Sequence, residues 1–217
     1  EIKNPLTPMK LNIQQLFKSW TDGVPGFEKK LERFTKNQIE YIDNLSSIAS
    51  AFSSFAKIPE ANPVDVDLLE QIRTTLELFK NSNNISFRVG SPHTEKIVIR
   101  ADKEQINSIF SNLIKNAIQS IPPGEEGIIK VHLEKENEKV LVSVSDNGSG
   151  IPESLRGKMF TPNFTTKSSG TGLGLSIVKR YVENAGGRIW FESETDKGTV
   201  FFIEFPLMKP DEKSEDH

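Results

Sequence analysis

Apolar and aromatic residues recur at alternating spacings of four and three through Phe27, Leu31, Phe34, Tyr41, Leu45, Ile48, Phe52 and Phe55, with only Gln38 breaking the series. Such a heptad seam predicts a long helix. Ahead of it, Leu6, Met9, Ile13, Leu16 and Trp20 keep the same spacing, and the stretch from Thr21 to Gly26, with two Gly and one Pro, reads as the turn between two antiparallel helices. A lone hairpin cannot cover both seams. Pairing with a second copy into a four-helix bundle is expected, and packing of the hairpin on its own downstream domain is the alternative.

Beyond Ile58-Pro59-Glu60-Ala61-Asn62-Pro63 the heptads give way to short alternating runs mixed with amphipathic ones, which sets the expected domain boundary after residue 59. Val64 to Val66 reads as a short strand, and Asp67 as the cap of a helix bearing Leu68, Leu69, Ile72, Leu76 and Phe79. Strands are predicted at Ile85–Val89 and Ile97–Arg100. Asp102 followed by Gln105 predicts a capping box opening a helix through Ser120, whose buried stripe is Ile106, Phe110, Leu113 and Ala117. Two hairpins follow, Ile128–Glu134 with Val140–Ser145 and Arg188–Glu194 with Thr199–Phe205, separated by a Gly-rich loop and a helix from Leu175 to Asn184 that ends at Gly186-Gly187. Helices interleaved with hairpins imply a mixed sheet with helices on one face, a two-layer α/β sandwich over residues 60–208. The charged stretch 209–217 has no core residue and is expected to be disordered.

Composition narrows the function classes by exclusion. The 217 residues carry 27 Lys and Arg against 30 Asp and Glu, so no broad basic field is available to hold nucleic acid. With no cysteine, disulfides and thiolate metal sites are excluded, and three scattered histidines argue against zinc. No apolar run approaches the roughly 20 residues that cross a bilayer. The chain opens at Glu1-Ile2-Lys3-Asn4-Pro5 inside a predicted helix, as would a fragment with any sensor or membrane segment upstream.

Three segments carry candidate chemistry. Asn112 and Asn116 lie four apart on the helix after Asp102, with Lys115 and Gln119 on the same side. An amide oxygen suits Mg²⁺, which takes most of its shell from water and nucleotide phosphates; the bland reading is two solvated asparagines. Asp146-Asn147-Gly148-Ser149-Gly150-Ile151 closes a predicted strand, where a carboxylate can accept from an exocyclic amine and glycines let a flat ring approach. A plain turn or an incomplete calcium loop reads equally well there. From Thr165 to Leu175, Gly170, Gly172 and Gly174 lead into a helix, offering backbone N–H groups and a positive dipole end to phosphate, with Lys167 as a mobile cation. The alternative is a flexible surface loop.

In order and spacing, Asn112-Leu-Ile-Lys-Asn116-Ala, Asp146-Asn-Gly-Ser-Gly150, Phe160 with Phe164, and Gly170-Thr-Gly-Leu-Gly174-Leu closely resemble the N, G1, F and G2 boxes of sensor histidine kinases of two-component systems. The resemblance covers Val64 to Pro206 and implies the Bergerat ATP-binding fold shared with gyrase, mismatch-repair and heat-shock ATPases. It implies that Asp146 holds the adenine amine, that Asn116 holds Mg²⁺, that Asn112 and Lys115 lie near the phosphates, that Gly170, Gly172 and Gly174 wrap them, and that Gln119, Thr171, Leu173 and Leu175 belong to the nucleotide site. Thr199 matches the position that supports the adenine site through water. Gly148, Gly150 and Ile151 complete the adenine side, and residues 151–169, with Phe164, Thr166 and Lys167, match the mobile lid. Asn163-Phe164-Thr165-Thr166-Lys167 resembles kinases of the nitrogen-regulation type in particular.

Glu1-Ile2-Lys3-Asn4-Pro5-Leu6 is similar to the H box of these kinases without its first letter. The resemblance implies a phosphoacceptor histidine just before Glu1, Glu1 as the base that takes the imidazole proton, and Asn4 as the residue orienting water when a partner regulator is dephosphorylated. Pro5 and Pro8 would bend the helix. None of His93, His132 and His217 lies on the hairpin, so none substitutes for the acceptor. What is implied is a homodimeric, ATP- and Mg²⁺-dependent protein-histidine kinase core that passes phosphate to an aspartate of a response-regulator receiver domain. It would be the cytoplasmic portion of a membrane-anchored sensor, with regulator phosphatase activity. An ATP-hydrolysing machine of the same superfamily would need a water-activating Glu near Asn112, and Glu104 lies eight residues away. A nucleotide sensor or phosphatase without kinase activity stays open.

Overall fold

The computed structural model describes residues 3–56, 61–82, 84–92, 96–162, 164–165 and 172–208, and at 3–7, 40 and 43–56 the backbone alone. Glu1, Thr166, Lys167, Gly170, Thr171, the expected domain boundary after residue 59 and the 209–217 tail lie outside the described residues, and of Asn4 only the backbone is described. Two compact units form, one from helices α1 and α2 and one from the elements that follow them.

In the first unit, α1 spans Lys3–Thr21 with Pro8 inside it, and α2 spans Phe27–Ala56. The turn between them uses Gly23 and Gly26 at positive φ, 61° and 76°, where a side chain would be strained. Lys30 Nζ donates to Ser19 Oγ at 2.7 Å, and Asn12, Leu16, Phe34 and Asn37 line a small gap of about 80 Å³ between the helices. The two helices therefore lie along one another as the spacing predicts. The seam is only partly buried, however. Met9, Leu16, Phe27, Phe34 and Tyr41 are half-buried, while Ile13 and Trp20 stay 53% and 63% exposed. Two helices can cover only one stripe of each other, and the heptad series is wider than that stripe.

In the second unit β1 (Val64–Asp67) pairs antiparallel with β3 (Val98–Ala101) in a small two-stranded sheet. A five-stranded sheet holds the rest in the order β2, β4, β5, β7, β6, namely Ile85–Gly90, Gly127–Glu136, Lys139–Asp146, Gly198–Pro206 and Arg188–Glu194. Among the described strands only β2 and β4 pair in parallel. The two predicted hairpins are present, and the β5–β7 pairing welds them into one mixed sheet. Helices α3 (Leu68–Glu77), α4 (Lys103–Ser120) and α6 (Gly174–Asn184) share one apolar core with the alternate strand residues Val131, Leu133, Val140, Val142, Ile203 and Phe205. This is a two-layer α/β sandwich. Within the expected lid, Glu153–Arg156 forms a short helix, α5, which the residue pattern does not announce.

Helix α4 is the central element. Ile106, Phe110, Leu113 and Ala117 are buried as predicted, and Ile109 and Ile114 widen the stripe because α3, α6 and the sheet all press on it. A buried polar contact fixes α3 against α4, with Gln71 Nε2 donating to Asn107 Oδ1 and Thr75 Oγ1 donating to the same oxygen at 3.0 Å. Asp102 caps α4 as expected, accepting from the Glu104 and Gln105 amides at 2.9 and 3.0 Å. The reciprocal half of the capping box does not form. Gln105 Oε1 instead accepts from Asn184 Nδ2 at 3.2 Å, tying the start of α4 to the end of α6.

Asp102 also accepts from the Asn62 amide at 2.9 Å, which pins the chain entering this unit. Burial pushes the Asp102 carboxyl up, but the donors on Asn62, Gln105 and Glu104 outweigh it and hold it below the usual carboxylate range. A depressed folded pKa gives stability that is complete above the unfolded value of about 3.9 and is lost as pH falls through the folded value. Asp102→Ala is therefore expected to cost about 1–2 kcal/mol at neutral pH. In urea unfolding the gap between variant and parent should close as the medium is acidified; a gap independent of pH would contradict the assignment.

Candidate functional site

Asp146 is the last residue of β5, and the register sets it directly opposite Thr199 on β7. Its Oδ1 accepts from Ser120 Oγ and from the Gly148 amide, both at 2.9 Å. Thr199 is 4% exposed and its hydroxyl lies 2.9 Å from Ser193 Oγ on β6. Ser193 Oγ in turn donates to the Gly198 carbonyl at 3.0 Å and accepts from the Ile151 amide at 2.8 Å. With the one Ser193 proton committed to Gly198, the Thr199 hydroxyl donates to Ser193, and its oxygen lone pairs remain acceptors.

The loop after Asp146 is clamped on three sides. Asn147 brackets the start of β4, accepting from the Ile128 amide at 2.7 Å and donating to the Glu126 carbonyl at 2.9 Å. Ser149 donates from its amide and hydroxyl to the Ser120 carbonyl, at 3.0 and 2.9 Å. Gly150 has φ of +68°, and a Cβ there would overlap the Glu194 carbonyl. Gly148 is buried, and a Cβ on it would overlap the Ser120 side chain. These glycines serve close packing, which a plain turn does not require. No cluster of three acidic or histidine side chains able to hold a metal ion occurs among the described residues, so the calcium-loop reading has no further ligands there.

At the other end of the site, Asn112 Nδ2 donates to the Ser108 carbonyl at 2.8 Å, and its oxygen faces α6, since a Cβ built on Gly174 would stand 2.9 Å from it. Gly174 opens α6, with Leu175 packed on the core. The first turn of α6 therefore aims its backbone N–H groups beside Asn112. Asn116 is half-buried, and Lys115 and Gln119 are exposed on the same helix. At about 1.5 Å per residue, Asn116 and Asn112 lie roughly 6 and 12 Å along α4 from Ser120, which touches Asp146. Phe160 packs on the sheet with its ring centroid 5.9 Å from Phe191 and 6.5 Å from Phe201, and Phe164 is half-buried.

Residues 101–209 match the model of the histidine kinase-, DNA gyrase B- and HSP90-like ATPase family. The chain belongs to this family. It is similar to a putative sensor histidine kinase NtrY-like of Rickettsia felis, 34% identical over 214 residues, which is 98% of this chain and 35% of that protein. It spans about a third of the length of such relatives. Among solved structures, the catalytic domain of histidine kinase ThkA is 40% identical with a TM-score of 0.60, over 67% of this chain and 95% of that domain. ThkA in complex with response regulator protein TrrA aligns over 96% of this chain and 59% of that chain, 32% identical, with a TM-score of 0.72.

In the candidate site Asp146, Gly148, Gly150, Ile151 and Thr199 form one wall, and Asn112 and Gly174 meet at the other end. Sequence reasoning missed Ser120, Asn147, Ser149 and Ser193, which hold the wall together. Asn147 was legible in principle as a polar residue beside Asp146. Ser120 and Ser193 carry no local pattern, because the contacts that tie them to the loop after β5, with Asp146 and the Ile151 amide, span 26 and 42 residues.

Gly198 gives the sharpest test of this wall. Its φ is +107°, and a Cβ would overlap the Asp146 carbonyl oxygen. Gly198→Ala should destabilise the unit by roughly 2 kcal/mol or more and abolish ATP binding in calorimetric titration. Gly157→Ala, with open space around it, should change stability by no more than about 0.5 kcal/mol and leave binding intact.

Proposed function

We propose that this chain is the dimerising and ATP-binding core of a sensor histidine kinase of the nitrogen-regulation type. The observation that carries the reading is the matched spacing along α4, with an adenine wall at Asp146 and Thr199 and a phosphate end at Asn112 and the α6 N-terminus. Family membership and the names of the relatives support it.

In this reading Asp146 accepts from the exocyclic amine of adenine, and Thr199 accepts from an ordered water at the ring. Lys115, Gln119 and the amides of Gly170, Thr171, Gly172 and Gly174 meet the phosphates, with Thr166, Lys167 and Phe164 closing over them. The donor set at the phosphate end is neutral amide oxygen with no carboxylate cluster among the described residues, which fits a cation that takes most of its ligands from phosphate and water. Asn116 would hold Mg²⁺, whose contribution is to neutralise phosphate charge. Glu1 takes the ring N–H proton of a histidine preceding it as the imidazole nitrogen attacks the γ-phosphorus, the bond to the β,γ-bridging oxygen breaks and ADP leaves.

The exposed apolar residues Ile13, Phe17, Trp20, Ile39 and Ile42 on α1 and α2 favour a homodimer that buries them in a four-helix bundle. ThkA, with which the chain aligns, is solved with a response regulator, and we assign the same class of partner here. Asn4 would orient water for dephosphorylation of that regulator. We place this core on the cytoplasmic side of a membrane-anchored sensor; no described helix is long and apolar enough to cross a membrane. An ATP-hydrolysing machine is disfavoured because Glu104, in the first turn of α4, stands about 12 Å along the helix from Asn112.

Incubation with Mg²⁺ and γ-labelled ATP tests the activity on a chain that carries a short native segment ending in histidine ahead of Glu1. Acid-labile, base-stable label should appear and fall by roughly a hundredfold or more in Asn116→Ala. ATP binding without label would instead favour a nucleotide sensor or phosphatase.

A further inference from the structure

Ser120 is the last residue of α4, and it meets the adenine wall with both its side chain and its carbonyl. Its hydroxyl lies 2.7 Å from the Ala117 carbonyl and 2.9 Å from Asp146 Oδ1, yet it has one proton to give. An ionised carboxylate is the stronger acceptor, and a hydroxyl lone pair facing it at that distance would be repelled. The proton therefore points to Asp146 when Asp146 is ionised. Together with the Gly148 amide it gives Oδ1 two donors, which fixes the plane of the carboxylate. The pocket for this hydroxyl exists only because residue 148 lacks a Cβ, so Gly148 and Ser120 are a matched pair. The Ser120 carbonyl, by accepting from Ser149, holds the same loop from behind.

We infer that Ser120 is a positioning residue for adenine recognition: it orients the Asp146 carboxylate toward the exocyclic amine and links that orientation to the helix bearing Asn112 and Asn116. The inference rests on Asp146 being the adenine contact. It also extends the site past the motif residues. The helix that supplies the amides at the phosphate end terminates in the hydroxyl that sets the adenine end, so α4 acts as the ruler for the whole nucleotide.

The test compares Mg-ATP with Mg-purine riboside 5′-triphosphate, which is ATP without the exocyclic amine, by isothermal titration on the full chain and on Ser120→Ala and Asp146→Ala. Ser120→Ala should weaken ATP binding about three- to tenfold while changing binding of the deaminated analogue less than about twofold. That selective loss is not expected of a residue that merely stabilises the fold. Equal losses for both nucleotides, or no loss for ATP in Ser120→Ala while Asp146→Ala loses it, would overturn the role of Ser120. An Asp146→Ala variant that binds ATP as the parent does would overturn the adenine contact, and the inference with it.

Discussion

The antiparallel pairing of β5 with β7 is the constraint on which the candidate site depends. Each hairpin alone is a marginal structure; joined, and with β2 added parallel to β4, they form a five-stranded sheet with a face broad enough for α4 and α6 to cover. The same register sets Asp146 against Thr199 and brings Gly198 so close to the Asp146 carbonyl that only glycine fits. A one-residue slip would turn Val140, Val142 and Val144 out of the core and Asp146 away from its partners. Core burial and site geometry are thus specified by one set of ladder hydrogen bonds.

Helix α4 converts that sheet into a site of defined length. Its apolar stripe is buried against α3, α6 and the sheet, so its rotation and its position along its axis are both fixed. Asp102 holds one end and Ser120 the other, with Asn112 and Asn116 at fixed heights between them. The polar groups at both ends answer to distant backbone: Asp102 to Asn62, and Ser120 to the loop after β5. The distance between the wall at Asp146 and Thr199 and the start of α6 is accordingly a property of one rigid helix.

Much of the fold was legible because it is written in periodicity. The strands of both hairpins, the caps at Asp67 and Asp102, and the buried stripe of α4 all follow from local patterns of apolar and polar residues. What escaped was non-local. The β1–β3 sheet, the central β5–β7 pairing and the Gln105–Asn184 contact depend on partners that no short window contains. The site divides the same way. Asp146, Asn112 and the glycines announce themselves by motif, whereas Ser120 and Ser193 act through hydrogen bonds across the sequence. The heptad seams were legible as helices but not as contacts, since a seam does not say which of its positions its own hairpin covers.

Titration of the isotopically labelled chain with Mg-ATP, followed residue by residue in its amide resonances, tests the central claim most directly. The largest perturbations are expected on Asp146 to Ile151, Gly198 and Thr199, on Asn112 and Asn116, and on the first turn of α6, in one saturable process. Perturbations confined to α1 and α2, or none at saturating nucleotide, would contradict it.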